Sequence, residues 1–158
     1  MDPSLTIPAT CIRIIQEQMA ELQKQSFIDE VGSVSGNIYH WHATLLGPQN
    51  SPFAGGKFVL DIRFQPEHPL KPPRVRFETN IFHPNISPSC GSISMRILRQ
   101  YWVHRISMVH LFDSIRLMLI EPNLEEAHPD VGETAKMYKN DRVMYESTAR
   151  EWTQLYAQ

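Results

Sequence analysis

Gly56-Lys57-Phe58-Val59-Leu60-Asp61-Ile62-Arg63-Phe64 decides the fold. Phe58, Leu60, Ile62 and Phe64 alternate with Lys57, Asp61 and Arg63, the two-residue period of a strand with one apolar face and one largely wet face. Upstream, residues 38–46 repeat the pattern: Tyr39, Trp41, Ala43 and Leu45 against His40, His42 and Thr44, with Gly47-Pro48 as the stop. Downstream, Val75 and Phe77 sit between Arg74, Arg76 and Glu78. Short strands at close spacing with no helix between them predict an antiparallel meander rather than a parallel sheet.

Helical periods flank this region. After Pro8, Ile12, Ile15, Met19 and Leu22 recur at spacings of three and four, so a first amphipathic helix is available to cover the apolar face of the sheet. Beyond Trp102, the residues Met108, Leu111, Phe112, Ile115 and Leu119 trace a stripe almost without polar interruption, a buried helix limited by Pro122. Tyr145, Ala149, Trp152 and Tyr156 mark a last helix. The fold class is therefore α+β. Phe58, Leu60, Ile62, Phe64, Val75, Phe77, Leu111, Phe112 and Ile115 are expected in its core.

Bulk properties narrow the function. The 158 residues suit one domain, residues 1–158, and 42% hydrophobic against 20% charged side chains is ordinary for a globular protein. A net charge of -2 gives no footprint for nucleic acid or an anionic membrane, so neither is expected as a partner. Cys11 and Cys90 are too few for a disulfide scaffold or a zinc cluster. Met1-Asp2-Pro3 opens no basic-then-apolar leader, and no stretch is long and apolar enough to span a bilayer, so cytosol or nucleus is the expected location. His40 and His42 share a strand face, but a pair without a third ligand at suitable spacing makes no metal site, and neither metal nor cofactor is expected.

A set of ordered motifs goes further. Tyr39-His40-Trp41, Gly47-Pro48, Ser51-Pro52-Phe53, Gly55-Gly56, Pro69-Leu70-Lys71-Pro72-Pro73, His83-Pro84-Asn85, Trp102, Glu121-Pro122-Asn123, Tyr138, Asp141 and Ala149-Arg150-Glu151-Trp152-Thr153 resemble the ubiquitin-conjugating enzymes in order and spacing. The resemblance covers roughly residues 11–157 and implies that family's fold: an N-terminal helix, a four-stranded antiparallel meander, a long active-site loop and C-terminal helices. It also implies acyl transfer, in which a cysteine takes the C-terminus of ubiquitin or a ubiquitin-like protein as a thioester and a substrate lysine attacks it. Asn85 would organise the loop and stabilise the oxyanion.

The nucleophile itself departs from the pattern. Where the family carries its cysteine, Gly91-Ser92-Ile93-Ser94-Met95-Arg96 places Ser94. A thiolate is nucleophilic near neutral pH, whereas a serine hydroxyl needs an adjacent base. The loop between Asn85 and Gly91 is about one residue longer than the common form, and Arg96 replaces an acid. Val103-His104-Arg105 stands where the family's serine-proline-alanine helps dock ligases, while Leu70 keeps an apolar contact in the other docking loop. The acidic gate after Asn123 is displaced, with Glu126 or His128 as its substitute.

These departures favour a catalytically inactive variant that works by binding ubiquitin or a ubiquitin-like protein, an active conjugating enzyme, or a ligase assembly. Three surfaces are candidates: Arg13, Leu70 and Lys71 with the loop Val103-His104-Arg105; Lys57, Asp61 and Arg63 on the sheet; and Asn85, Ser94 and Asn123 in the loop. The alternative is an active transferase, either with its cysteine replaced by Ser94 for crystallography or using Cys90, which has nothing basic beside it in Ser87-Pro88-Ser89. A purely structural subunit is a third class.

Overall fold

The computed structural model describes residues 3–158, with side chains from residue 10 onward, so Met1-Asp2, on which the leader argument partly rests, lie outside the described residues. The chain runs α1 (Pro3–Gln23), β1 (Ile28–Val34), β2 (Asn37–Leu46), β3 (Lys57–Arg63), β4 (Arg74–Phe77), α2 (Met108–Ile120), α3 (Gly132–Asn140) and α4 (Arg142–Tyr156). Single 3-10 turns lie at Arg96–Leu98, Leu124–Glu126 and Pro129–Val131. The four strands form one antiparallel sheet in sequence order, the meander expected from the alternation.

Register explains the core. Trp41 pairs with Ile62 and Ala43 with Leu60, while Ile62 and Leu60 face Val75 and Phe77 on β4, so one side of the sheet is continuously apolar. Ile15 and Leu22 from α1 and Leu111, Phe112 and Ile115 from α2 join the same buried cluster. Every residue expected in the core is there. Fully burying each such side chain contributes about 1.5–3 kcal/mol.

Three local differences from the sequence expectation have physical causes. First, β1 has a broken hydrophobic alternation, because bulges between Ile28 and Glu30 and between Ser33 and Val34 shift the register. Ser35 and Gly36, at φ 52 and 75, make the tight left-handed turn into β2. Second, α1 starts at Pro3 and runs through Pro8; Pro3 stands at the first helical position, where a missing N–H removes no intrahelical bond, whereas Pro8 lies inside the helix without an N–H to donate. Third, α4 buries Tyr145, Ala149 and Thr153, a strict four-residue stripe, whereas Tyr156 is exposed. The other ends follow the caps, with Ser107 Oγ accepting from His110 N at 3.1 Å to start α2 and Asp141 Oδ1 accepting from Met144 N at 3.2 Å to start α4. Among the described residues no helix is long and apolar enough to cross a membrane.

Candidate functional site

The loop after β4 folds back on itself beneath the C-terminal end of α2. His83 anchors it: Nε2–H donates to Met118 O at 2.8 Å, and Nδ1 accepts the Asn85 N–H at 3.0 Å. Burial brings the His83 pKa down to about 4, which keeps the ring neutral and suits a nitrogen that accepts. Isolated bridges pair His83 with Ile86 and Ile86 with Ile93, so the two halves of the loop close against each other.

Gly91 is required for that closure. Its φ is 76, and a Cβ there would come within 1.8 Å of Phe77 O, while its own carbonyl accepts the Phe77 N–H at 2.9 Å. The loop is thus stitched to β4 immediately before Ser94.

Asn85 and Ser94 are brought together. Ser94 N–H donates to Asn85 O at 2.7 Å, and Ser94 is 9% exposed. The Asn85 side chain is engaged on all sides: Nδ2 donates to Asn123 O at 2.8 Å and to Glu126 O at 3.0 Å, and Oδ1 accepts Asn123 N–H at 3.1 Å. It fastens the segment after α2 to the loop. Among the described residues no histidine or lysine is hydrogen-bonded to the Ser94 hydroxyl.

Both residues considered for the displaced acidic gate are also engaged. Glu126 accepts the Arg96 N–H at 3.3 Å and lies 3.5 Å from the Arg96 guanidinium. His128 Nδ1 accepts Asp130 N–H at 3.1 Å, which leaves the ring proton on Nε2, 2.8 Å from Ser92 Oγ. In that tautomer His128 donates to Ser92 and is no base for it. Its own N–H donates to Pro84 O at 2.9 Å, a second tie across the loop.

Cys90 is exposed at the tip of this loop. Sequence offered no basic neighbour to activate it, but the fold supplies hydroxyls: hydrogen bonding to Ser92, whose Oγ is 3.4 Å from the sulfur, and then to Ser87 brings the thiol down to about 7. The loop's turn geometry, not its composition, creates this setting.

The two loops read from the sequence as docking candidates are joined by one bond, Trp102 Nε1–H to Pro69 O at 2.8 Å. That bond sets Leu70, 75% exposed, on a loop tied to the one carrying Val103, 55% exposed; Lys71, His104 and Arg105 are also exposed. His68 Nε2 meets Gln18 Oε1 at 2.9 Å and so ties α1, which carries exposed Arg13, to the Leu70 loop. A shallow groove lined by Met95, Leu117, Pro122 and Leu124 adjoins Ser94, with Leu117 open to solvent.

On the sheet, Lys57 and Arg63 are exposed as expected, but Asp61 is not: at 2% exposure it is covered by neighbouring side chains. Burial pushes its pKa up, yet hydrogen bonds from His40 and Arg63 and their charges outweigh that and hold it at about 2. The sequence reading missed this enclosure, which only the pairing of β2 with β3 reveals.

Comparison with known proteins agrees with this architecture. A family model described as ubiquitin-conjugating enzyme matches residues 13–153. Among solved structures, the chain is similar to the E2 domain of a Toxoplasma gondii ubiquitin conjugating enzyme, at 33% identity and a TM-score of 0.82, covering 91% of this chain and 97% of that one.

Proposed function

The chain belongs to the ubiquitin-conjugating enzyme family, and from that premise we propose that it serves the ubiquitin-conjugation pathway by non-covalent binding rather than by acyl transfer. One observation supports the reading: Ser94, which the motif order sets where the family carries its thiol, is nearly enclosed, with no base on its hydroxyl among the described residues. A serine in that setting stays a hydroxyl at neutral pH and is a poor nucleophile. Asn85 reinforces this, since both of its amide hydrogens are held by loop carbonyls rather than facing the Ser94 hydroxyl.

What remains is a rigid surface. The Leu70 and Val103 loops and the groove beside Met95 and Leu117 offer apolar contact to ubiquitin, a ubiquitin-like protein, a conjugating enzyme or a ligase. Cytosol or nucleus is the compartment in which it would act.

A second reading rests on Cys90, whose exposed thiol near pKa 7 is partly thiolate at neutral pH. Charging with activating enzyme, ATP and ubiquitin separates the two. The binding reading expects no reductant-sensitive adduct by non-reducing gel and mass spectrometry, together with NMR shifts on titration of ubiquitin or a conjugating enzyme. A ubiquitin-sized mass increase that is lost with thiol reductant and with Cys90→Ser, but survives Ser94→Ala, establishes the enzyme instead.

A further inference from the structure

The outer face of the sheet carries a cluster that the loop chemistry does not use. His40 and His42, two residues apart on β2, present both rings to this face, and the register sets His42 opposite Asp61, which in turn faces Arg76 on β4. Both rings close on one carboxylate oxygen: Asp61 Oδ1 is 2.5 Å from His40 Nε2 and 3.2 Å from His42 Nε2. The other oxygen takes Arg63 Nε at 3.0 Å and Arg76 Nε at 3.6 Å. Glu78, just past β4, brings Oε1 to 3.2 Å from His42 Nε2.

The geometry points to a divalent-cation site of the zinc class, built from His40 Nε2, His42 Nε2 and Asp61 Oδ1, with Glu78 beside His42 as a fourth ligand that would have to turn inward. Imidazole nitrogen with carboxylate oxygen is a donor set that zinc takes, and bonds of about 2.0–2.2 Å put neighbouring atoms of a tetrahedron roughly 3.3 Å apart. The three principal ligand atoms already lie within 4.8 Å of one another. The contacts of His42 to Asp61 and Glu78, both 3.2 Å, have the required spacing. His40 and Asp61 are in direct hydrogen bond at 2.5 Å and would have to open by roughly 0.8 Å, within reach of side-chain torsions.

Proton balance is simple. A ring ligates through Nε2 when its proton sits on Nδ1, so a neutral His40 changes tautomer, while an imidazolium releases a proton to solvent. Arg63 and Arg76 act in two directions. They hold Oδ2 so that Oδ1 faces the rings, and they place positive charge near an incoming cation, so micromolar rather than nanomolar affinity is expected. A bound ion would link β2, β3 and the end of β4 and add charge to the open face of the sheet. Sequence spacing conceals the site, because its third ligand lies on the next strand.

Calorimetric titration of Zn2+ into the chelator-treated full chain tests it, with Cys90→Ser run alongside to remove the exposed thiol as a rival ligand. Expected are one ion per chain in both proteins, and the visible absorption of tetrahedral Co2+ when cobalt replaces zinc. His40→Ala and His42→Ala should each weaken binding by more than the ~10–100-fold that loss of a supporting contact costs. His110→Ala, at an exposed histidine on α2, should leave it unchanged. Asp61→Asn strips two arginines of their partner; should it not fold, His42→Gln at a half-exposed position carries the test, with thermal melting checking each fold. Absence of stoichiometric binding, or binding that survives both histidine replacements, overturns the site and leaves a self-contained ionic network.

Discussion

Arg96 and Glu126 meet twice: the Arg96 backbone N–H donates to one carboxylate oxygen at 3.3 Å, and its guanidinium lies 3.5 Å from the other. Glu126, which follows Asn123 and contacts the loop beyond Ser94, is therefore already paired. Ser94→Cys is expected to recover some ubiquitin charging, yet to discharge onto free lysine about 100-fold more slowly than an ordinary conjugating enzyme, the scale of a 1 Å misplacement of the reacting groups. Single-turnover discharge, with and without a ligase, measures this. Adding Arg96→Ala to Ser94→Cys removes the guanidinium from one carboxylate oxygen while the backbone N–H keeps the other, and should recover part of the rate. Discharge of Ser94→Cys alone at a comparable rate would show Ser94 to be the only lesion.

Asn85 joins two chain segments, its own loop and residues 123–126, through one fully buried amide. Asn85→Ala leaves the Asn123 and Glu126 backbone groups without that partner, and a loss of about 2–4 kcal/mol is expected, from unsatisfied groups at roughly 1–3 kcal/mol each with partial relaxation. Urea denaturation reads it as a lowered midpoint. A change below about 0.5 kcal/mol would mean that water replaces the amide freely.

Tyr145 is 2% exposed, and its hydroxyl has no hydrogen-bond partner in the structure. Tyr145→Phe removes a buried polar atom while keeping the ring against Tyr138 and Phe82. Stability should rise by about 1 kcal/mol, seen as a higher Tm. A fall would reveal a role for the hydroxyl that the hydrogen-bond pattern lacks.

His83 and His68 both titrate at about 4 in the folded chain, chiefly because burial disfavours the imidazolium. Each folded pKa lies below the ordinary value of 6.5, so the unfolded chain binds more protons between the two values. The stability these neutral rings maintain is complete above about pH 6.5 and declines as pH falls toward about 4. His83, fully enclosed, accounts for roughly 3 kcal/mol of that change. Asp61, held at about 2, adds its own loss only at lower pH. Denaturation midpoints between pH 7 and pH 4 should therefore drop, and His83→Gln should flatten the slope; an unaltered slope would place the titration elsewhere.

The strands β2, β3 and β4, the helices α1, α2 and α4 and the core were legible in the sequence because each rests on a local period: two for Phe58 to Phe64, and three to four for Met108 to Leu119. That Asn85 and Ser94 share one loop was legible too, since motifs fix their order along the chain. Bulged β1 was not, because inserted residues erase the alternation that marks a strand. Nor was the engagement of Asn85 with Asn123 and Glu126, the pairing of Arg96 with Glu126, the hydroxyl setting of Cys90, or the closing of His40 and His42 on Asp61. Those contacts join residues from 2 to 41 positions apart, and all but the short turn around Cys90 exist only once the sheet register and the loop's return past α2 have set the distances. Local sequence states which side chains are present and which face they take; hydrogen bonds and charges act over a few ångströms in space, so only the tertiary structure decides which of them meet.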